Sequence, residues 1–526
     1  MLAGLAVALT LGAYARHVYP VPSNDSSAFV PPAILFAAGQ GLRDPLSSVS
    51  IRPGDDRYLQ YPPLFPLAVG LLMREPNPQA AFAAIGALAG MDALLLAWLL
   101  GRIIRRQGRG GPGSAALAGV LALLAAATNL VGEQTGRPEV LAALWALLAA
   151  HAGLTLPPQR SWWIIGPLMG LTGATHPMAG LLLGLLQATH LAARLPARRA
   201  LVAIGSTAVS AAAVFLAALA LSPFGIMDIL AGTAHHAQLA VLRGGSNAQL
   251  ADYWVRATGA TFYALPFLLL ASSAAARALL QRRMPPLLSV IFALLLGAVI
   301  WYAGVRIPEH AYNLLLFAPG VFAANLHLLL SATGLERRLL IAATSVAHGL
   351  AAIGFLRSVA LFGIFLGQGV SLAAARGEVS YWVSAARGKI AVTSSLWVLS
   401  EDYRRLEILV GPAGPEVETV VLQQNYSGRL TPPELPGFTL RRNTFRPSAC
   451  RVFGLLLANT VPGYSYGLYT RDSPPGDRPL MSDRRPAVDP PALKTGRAPD
   501  FLASPQESAG AALVPAARRA RGTLRQ

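Results

Sequence analysis

The chain is short of charge, and shorter still of acid. Of its 526 residues 13% are Asp, Glu, Lys or Arg, against about 25% in soluble chains. Only 25 acidic residues face 43 basic ones. With 54% hydrophobic residues and a mean hydropathy of +0.48, this excludes a soluble globular protein of such length. The single cysteine, Cys450, excludes an intrachain disulfide and a thiolate metal cluster. No basic patch is interleaved with aromatics, so the net charge of +18 does not describe a nucleic-acid surface and no nucleic-acid partner is expected. It reads instead as the Lys and Arg excess that membrane proteins keep on the cytoplasmic side.

What the chain does have is repeated apolar runs rich in Gly and Ala. About 20 such residues cross the hydrocarbon of a bilayer, and small residues suit close helix packing in lipid. Residues 1 to 15 form a first apolar segment without a basic start, read as a retained helix rather than a cleaved leader. Further spans are expected at 80–101, 114–131, 138–153, 162–174, 177–190, 200–221, 258–276, 286–304, 311–331 and 339–358. The fold class is therefore an all-α polytopic membrane protein with about eleven transmembrane helices. The two spans flanking Thr175-His176-Pro177 are short for full crossings.

Charge orients this layout. With the N-terminus cytoplasmic, the short inner loops carry Arg102, Arg105, Arg106, Arg109, Arg160, Arg194, Arg198, Arg199, Arg277, Arg282, Arg283, Arg337 and Arg338. The short outer loops hold only Arg137, Arg243, Arg256 and Arg306, a bias of thirteen to four. Acids fall the other way: the inner loops hold Glu336, while Asp25, Asp44, Asp55, Asp56, Glu75, Glu133, Glu139, Asp228, Asp252 and Glu309 are outside. Acid–base chemistry is thus expected on the outer face of the cytoplasmic membrane. After Arg357 the pattern changes: Lys389–Leu399, Glu418–Leu422 and Arg451–Leu457 read as strands. The expected domains are a transmembrane catalytic part at 1–360, with its first external loop at 16–79, and a small extracytoplasmic α/β domain at 361–472. A Pro- and Arg-rich tail at 473–526 is expected to be disordered.

Several outer residues are candidates for chemistry. Asn24-Asp25 follows the first span, where a carboxylate can serve as general base or, with Ser26-Ser27, as a helix cap. Tyr61-Pro62-Pro63-Leu64-Phe65-Pro66 is a rigid return to the membrane, with Tyr61 a candidate for lining an acceptor or carrier groove. In Thr135-Gly136-Arg137-Pro138-Glu139, Pro138 and Glu139 suit a helix start, while Arg137 can hold a phosphate with two hydrogen bonds. His176 stands at a turn as a cap or site group. His235 and His236 share an expected loop of about 35 residues with Arg243, a candidate to close over a lipid phosphate. Arg306 and His310 precede a late span, where a cation can stabilise a leaving phosphate.

This arrangement resembles the GT-C superfamily of polytopic glycosyltransferases: an acid (Asp25) in the first external loop, the Tyr61-Pro62-Pro63-Leu64 segment, Arg137 followed two residues later by Glu139, and Arg306 with His310 before a late helix. Many members carry an Asp-Glu pair where this chain has Asn24-Asp25, a departure from the protein O-mannosyltransferases in particular. The resemblance implies transfer of a sugar from a polyprenyl-phosphate donor to a lipid, glycan or protein acceptor. Asp25 would be the base, with Arg137 and Arg306 on the donor phosphate. A divalent metal, Mg or Mn, assists some members, and the motifs leave it open here. The competing readings are a transporter or flippase, for which the intramembrane Asp92 would be an ion site, and a lipid-carrier-dependent glycan polymerase or ligase.

Overall fold

The structure is a computed structural model that describes residues 1–23, 25–46, 56–107, 112–157, 162–243, 334–368, 371–385, 388–400, 402–403, 405–409, 413–424, 431–446, 450–452, 455–458 and 463–472. Residues 1–472 form one compact unit. The apolar runs become helices: α1 (Leu2–Arg16), α2 (Ser26–Ala37), α3 (Leu64–Leu72), α4 (Pro78–Gln107), α5 (Pro112–Glu133), α6 (Glu139–Thr155), α7 (Trp162–Thr175), α8 (Pro177–Arg194), α9 (Ala197–Leu219), α10 (Ile226–Arg243), α11 (Gly334–Gly367) and α12 (Leu372–Ala385).

Three helices among the described residues are long and apolar enough to cross a membrane: Pro78–Arg106, Gly113–Gly132 and Ala197–Leu219. Ala352–Gly367 and Leu372–Ser384, bent by 51° at their junction, make a fourth if they are one span. The described residues thus hold three or four helices of that length, with Leu2–Arg16, Ser26–Ala37, Glu139–Gly153 and Pro177–Ala192 as shorter apolar helices. At 1.5 Å per residue, α7 with its 14 residues reaches only about 21 Å, short of the roughly 30 Å of hydrocarbon. The spans expected at 258–276, 286–304 and 311–331, and the tail at 473–526, lie outside the described residues.

Small residues let the helices approach closely. In the Gly86-Ala-Leu-Ala-Gly90 stretch of α4, a Cβ on Gly86 would overlap the Cβ of Ala15 on α1. Gln134, just past α5, donates from its side-chain amide to the Leu11 carbonyl of α1 at 3.0 Å. Aromatic rings join α11 to the end of α1, with Tyr14 and Phe362 centred 4.6 Å apart and Tyr19 and Phe365 5.1 Å apart.

Beyond α12 the chain forms a five-stranded mixed sheet in the order β2-β1-β3-β7-β4. Its strands are β1 (Lys389–Val392), β2 (Leu406–Ile408), β3 (Val417–Gln423), β4 (Phe438–Asn443) and β7 (Tyr466–Arg471). β1 runs parallel to β2 and β3, and β7 antiparallel to β3 and β4. β5 (Cys450–Val452) and β6 (Leu455–Ala458) form a separate antiparallel pair, so the strand expected over 451–457 is a hairpin instead.

The strand expected over Lys389–Leu399 is also corrected. It ends at Val392, and Ser394–Leu399 turns as a 3-10 helix. Thr393 makes the break, because its hydroxyl accepts from the Gln423 amide at 2.8 Å and leaves the ladder register. The turn carries Trp397 onto the helical part, where its indole N–H donates to Ser26 Oγ at 2.8 Å. Tyr464 likewise donates to the Val18 carbonyl at 2.8 Å. The sheet therefore packs on the end of the helices that carries the first loop.

Candidate active site

The loop after α1 is tied to the α5–α6 turn by backbone hydrogen bonding: the Ser23 amide donates to the Thr135 carbonyl at 2.9 Å. In that turn Gly136 adopts φ +94°, a left-handed conformation that L side chains rarely take. It also has no room for one, since a Cβ would lie 2.7 Å from Ser26 Cβ and 3.0 Å from Val30 Cγ2. The glycine thus lets the turn lie directly on the start of α2, and Arg137 follows it.

Asp25 occupies the N-cap position of α2, yet its carboxylate makes no capping hydrogen bond. It accepts from Arg137 Nη1 instead. From its other side Arg137 grips Glu139 Oε1, through Nε at 2.9 Å and Nη2 at 2.8 Å. Exposure separates the two acids: the Glu139 side chain is 4% exposed, Arg137 16% and Asp25 50%. Glu139 opens α6, where a carboxylate is also favoured by the helix dipole. The capping and the charged readings of Asp25 thus divide between its backbone, which stands at the cap, and its side chain, which does not.

Two further groups join this trio. His176 is buried at the N-cap of α8, and its Nδ1 accepts from the Ala179 amide at 3.3 Å. An accepting Nδ1 puts the proton of the neutral ring on Nε2. The Tyr61 ring lies edge-on to His176 at 5.9 Å and to Phe29 at 5.0 Å. Burial, then the charge of Glu139, pushes the Tyr61 hydroxyl well above the usual phenol range; Arg137 opposes this and Asp25 adds to it. Tyr61 therefore stays neutral.

Asp25, Tyr61, Arg137, Glu139 and His176 are thus gathered in one place. Solved structures similar to the protein include an Archaeoglobus fulgidus oligosaccharyltransferase in the apo form, at 12% identity over 80% of this chain and 69% of that one, with a TM-score of 0.45. The same organism's oligosaccharyltransferase AglB, in complex with an inhibitory peptide and a dolichol-phosphate, is similar at 11% identity over 81% and 69% of the two chains, with a TM-score of 0.41. The arabinofuranosyltransferase AftD from Mycobacteria is similar at 15% identity over 90% of this chain and 40% of that one, with a TM-score of 0.42. No family model and no curated protein matches the sequence. These likenesses carry no residue role, and the roles proposed for this chain rest on its own geometry.

Other candidates fall elsewhere. The loop expected around His235 and His236 is corrected: Ile226–Arg243 is helical, so both histidines and the backbone of Arg243 belong to α10. Its Ala- and Leu-rich stretch favours helix over loop. α10 also packs on the first loop, with Arg57 and Asp228 paired at 3.7 Å. Asn24, Asp55, Arg306 and His310 lie outside the described residues. Arg137, expected on a donor phosphate, stands between the two carboxylates of Asp25 and Glu139. A divalent cation does not fit the same spot, because the guanidinium stands between the two acids. Among the described residues no three His, Cys, Asp or Glu side chains converge as a metal site.

Sequence reasoning named all five gathered residues and missed the role of Trp397, whose bond to Ser26 joins this site to the sheet. The available signal was Thr393-Ser394-Ser395, whose hydroxyls interrupt the apolar run before Trp397.

Proposed function

We propose that this protein is an integral membrane glycosyltransferase that moves a sugar from a polyprenyl-phosphate carrier to an acceptor hydroxyl or amide at the outer face of the membrane. Asp25 is the general base. Its half-exposed carboxylate takes the acceptor proton, the acceptor atom bonds to the anomeric carbon, and the bond to the carrier phosphate breaks with its electron pair leaving on the phosphate. Attack from the face opposite the phosphate inverts that carbon. Arg137 holds the Asp25 carboxylate in its aim, and Glu139 fixes the guanidinium from its buried side. Arg306 remains the proposed cation for the leaving phosphate.

The observation that carries this reading is the Asp25 carboxylate, turned away from the helix it could cap and held by Arg137 at a half-exposed position. Asp25→Asn keeps shape and capping ability while removing the base. In membranes supplied with radiolabelled polyprenyl-phosphate sugars, the wild type should transfer label and Asp25→Asn at equal expression should not. Equal transfer by both sinks the assignment.

A transporter or flippase has one observation in its favour, the full burial of Asp92 inside α4. Lipid translocation in vesicles that Asp92→Asn abolishes and Asp25→Asn leaves intact would establish that reading instead.

A further inference from the structure

The Trp397 indole reaches from the sheet part of the molecule to the residue next to the proposed base. It is fully buried, donates to Ser26 Oγ at 2.8 Å and stacks on Phe82 of α4 with ring centroids 6.3 Å apart and planes 28° apart. Ser26 does not end the chain of bonds. Its hydroxyl donates to the Ser23 carbonyl at 2.6 Å, and the Ser23 amide donates to Thr135, two residues before Arg137. Ser26 is also the residue whose Cβ closes the space over Gly136.

One hydrogen-bonded line therefore runs from Trp397 through Ser26 and Ser23 to the turn that carries Arg137, and Asp25 sits inside it. Each link fixes backbone on one side of the Asp25–Arg137 pair. The carboxylate itself is half exposed and makes no capping bond, so its direction depends on that backbone. Trp397 in turn is held from behind: the Tyr403 ring packs on it at 6.1 Å, and Ser395 of the same 3-10 turn bonds to Gln423 of β3.

We propose that Trp397 is a positioning residue for transfer, acting through Ser26 to hold Asp25 against Arg137, so that the sheet part sets the aim of the base. This rests on the reading of Asp25 as the base. It differs from a packing role in a checkable way. A buried indole that only packs should affect folding and leave turnover alone, and Trp397→Phe retains the ring stacking while deleting the N–H.

The experiment uses the full chain in membranes, comparing wild type, Trp397→Phe, Ser26→Ala and the double variant at equal expression. Trp397→Phe should lower kcat about tenfold with KM for the donor unchanged, as loss of one hydrogen bond that positions the reacting groups would do. Because the two side chains share that bond, adding Trp397→Phe to Ser26→Ala should cost nothing more. A second readout needs no substrate: the rate at which a water-soluble carbodiimide couples to Asp25, followed by peptide mass spectrometry. Release of Asp25 from Arg137 should raise that rate in Trp397→Phe. Unchanged kcat with an unchanged coupling rate overturns the positioning role. If the wild type transfers no sugar from any donor, the glycosyltransferase reading fails alone, and the coupling rate still decides whether Trp397 aims Asp25.

Discussion

Removing the Arg137 guanidinium tests the site most sharply, because its two carboxylate partners stand in different surroundings. Arg137→Leu leaves the Glu139 carboxyl, 4% exposed, without its counter-charge. Breaking a buried pair by deleting one partner costs about 3–5 kcal/mol. The Asp25 side adds little, since that carboxylate is 50% exposed and exposed pairs contribute about 0–1 kcal/mol. The expected loss of stability is thus about 4 kcal/mol, nearly all of it from Glu139. Adding Glu139→Leu removes the stranded charge, and paired apolar replacement of a buried ion pair is often close to neutral. The double variant should therefore recover most of the stability and none of the transfer activity, because Asp25 remains unaimed. Tryptophan fluorescence melts of detergent-purified protein, all at one scan rate because membrane-protein unfolding is seldom reversible, measure this directly. Arg137→Leu melting with the wild type would refute the buried pair. A double variant as unstable as the single one would show that the loss came from packing and not from charge.

Two other substitutions probe the frame around the pair. Gly136→Ala puts a side chain at φ +94° and against Ser26; backbone strain of this kind costs about 1–3 kcal/mol. Both melting temperature and transfer should fall, and an alanine tolerated in both would mean that the turn does not press on α2. At His176 the N-cap bond to Ala179 predicts that Ala destabilises α8 by about 1 kcal/mol while Asn, itself a good cap, does not. Equal melting of the two variants would remove capping as the reason for this histidine.

Much of the site was legible in the chain. Asp25, Tyr61, Arg137, Glu139 and His176 stood out because each is a polar group beside an apolar run, where charge and capping are costly to place idly. Their division of labour was not legible. Arg137 read as a phosphate ligand, since an outer arginine suits an anion, and its two carboxylate neighbours could not be read from the chain. The helix over Ile226–Arg243 was hidden by a histidine pair and a following Gly-Gly that suggested a loop, although its Ala and Leu content favoured helix.

By itself the sequence determined that the chain is a membrane protein, where its apolar helices fall and which loops collect acids. These depend on hydropathy and charge, which are sums over neighbouring residues and can be read along the chain. The tertiary structure alone decided that Asp25 meets Arg137 across 112 residues and that Trp397 meets Ser26 across 371. Contacts so distant in sequence leave no local periodicity. They form because a glycine without room for a side chain and a few backbone hydrogen bonds bring two turns together, and those conditions exist only once the helices have packed.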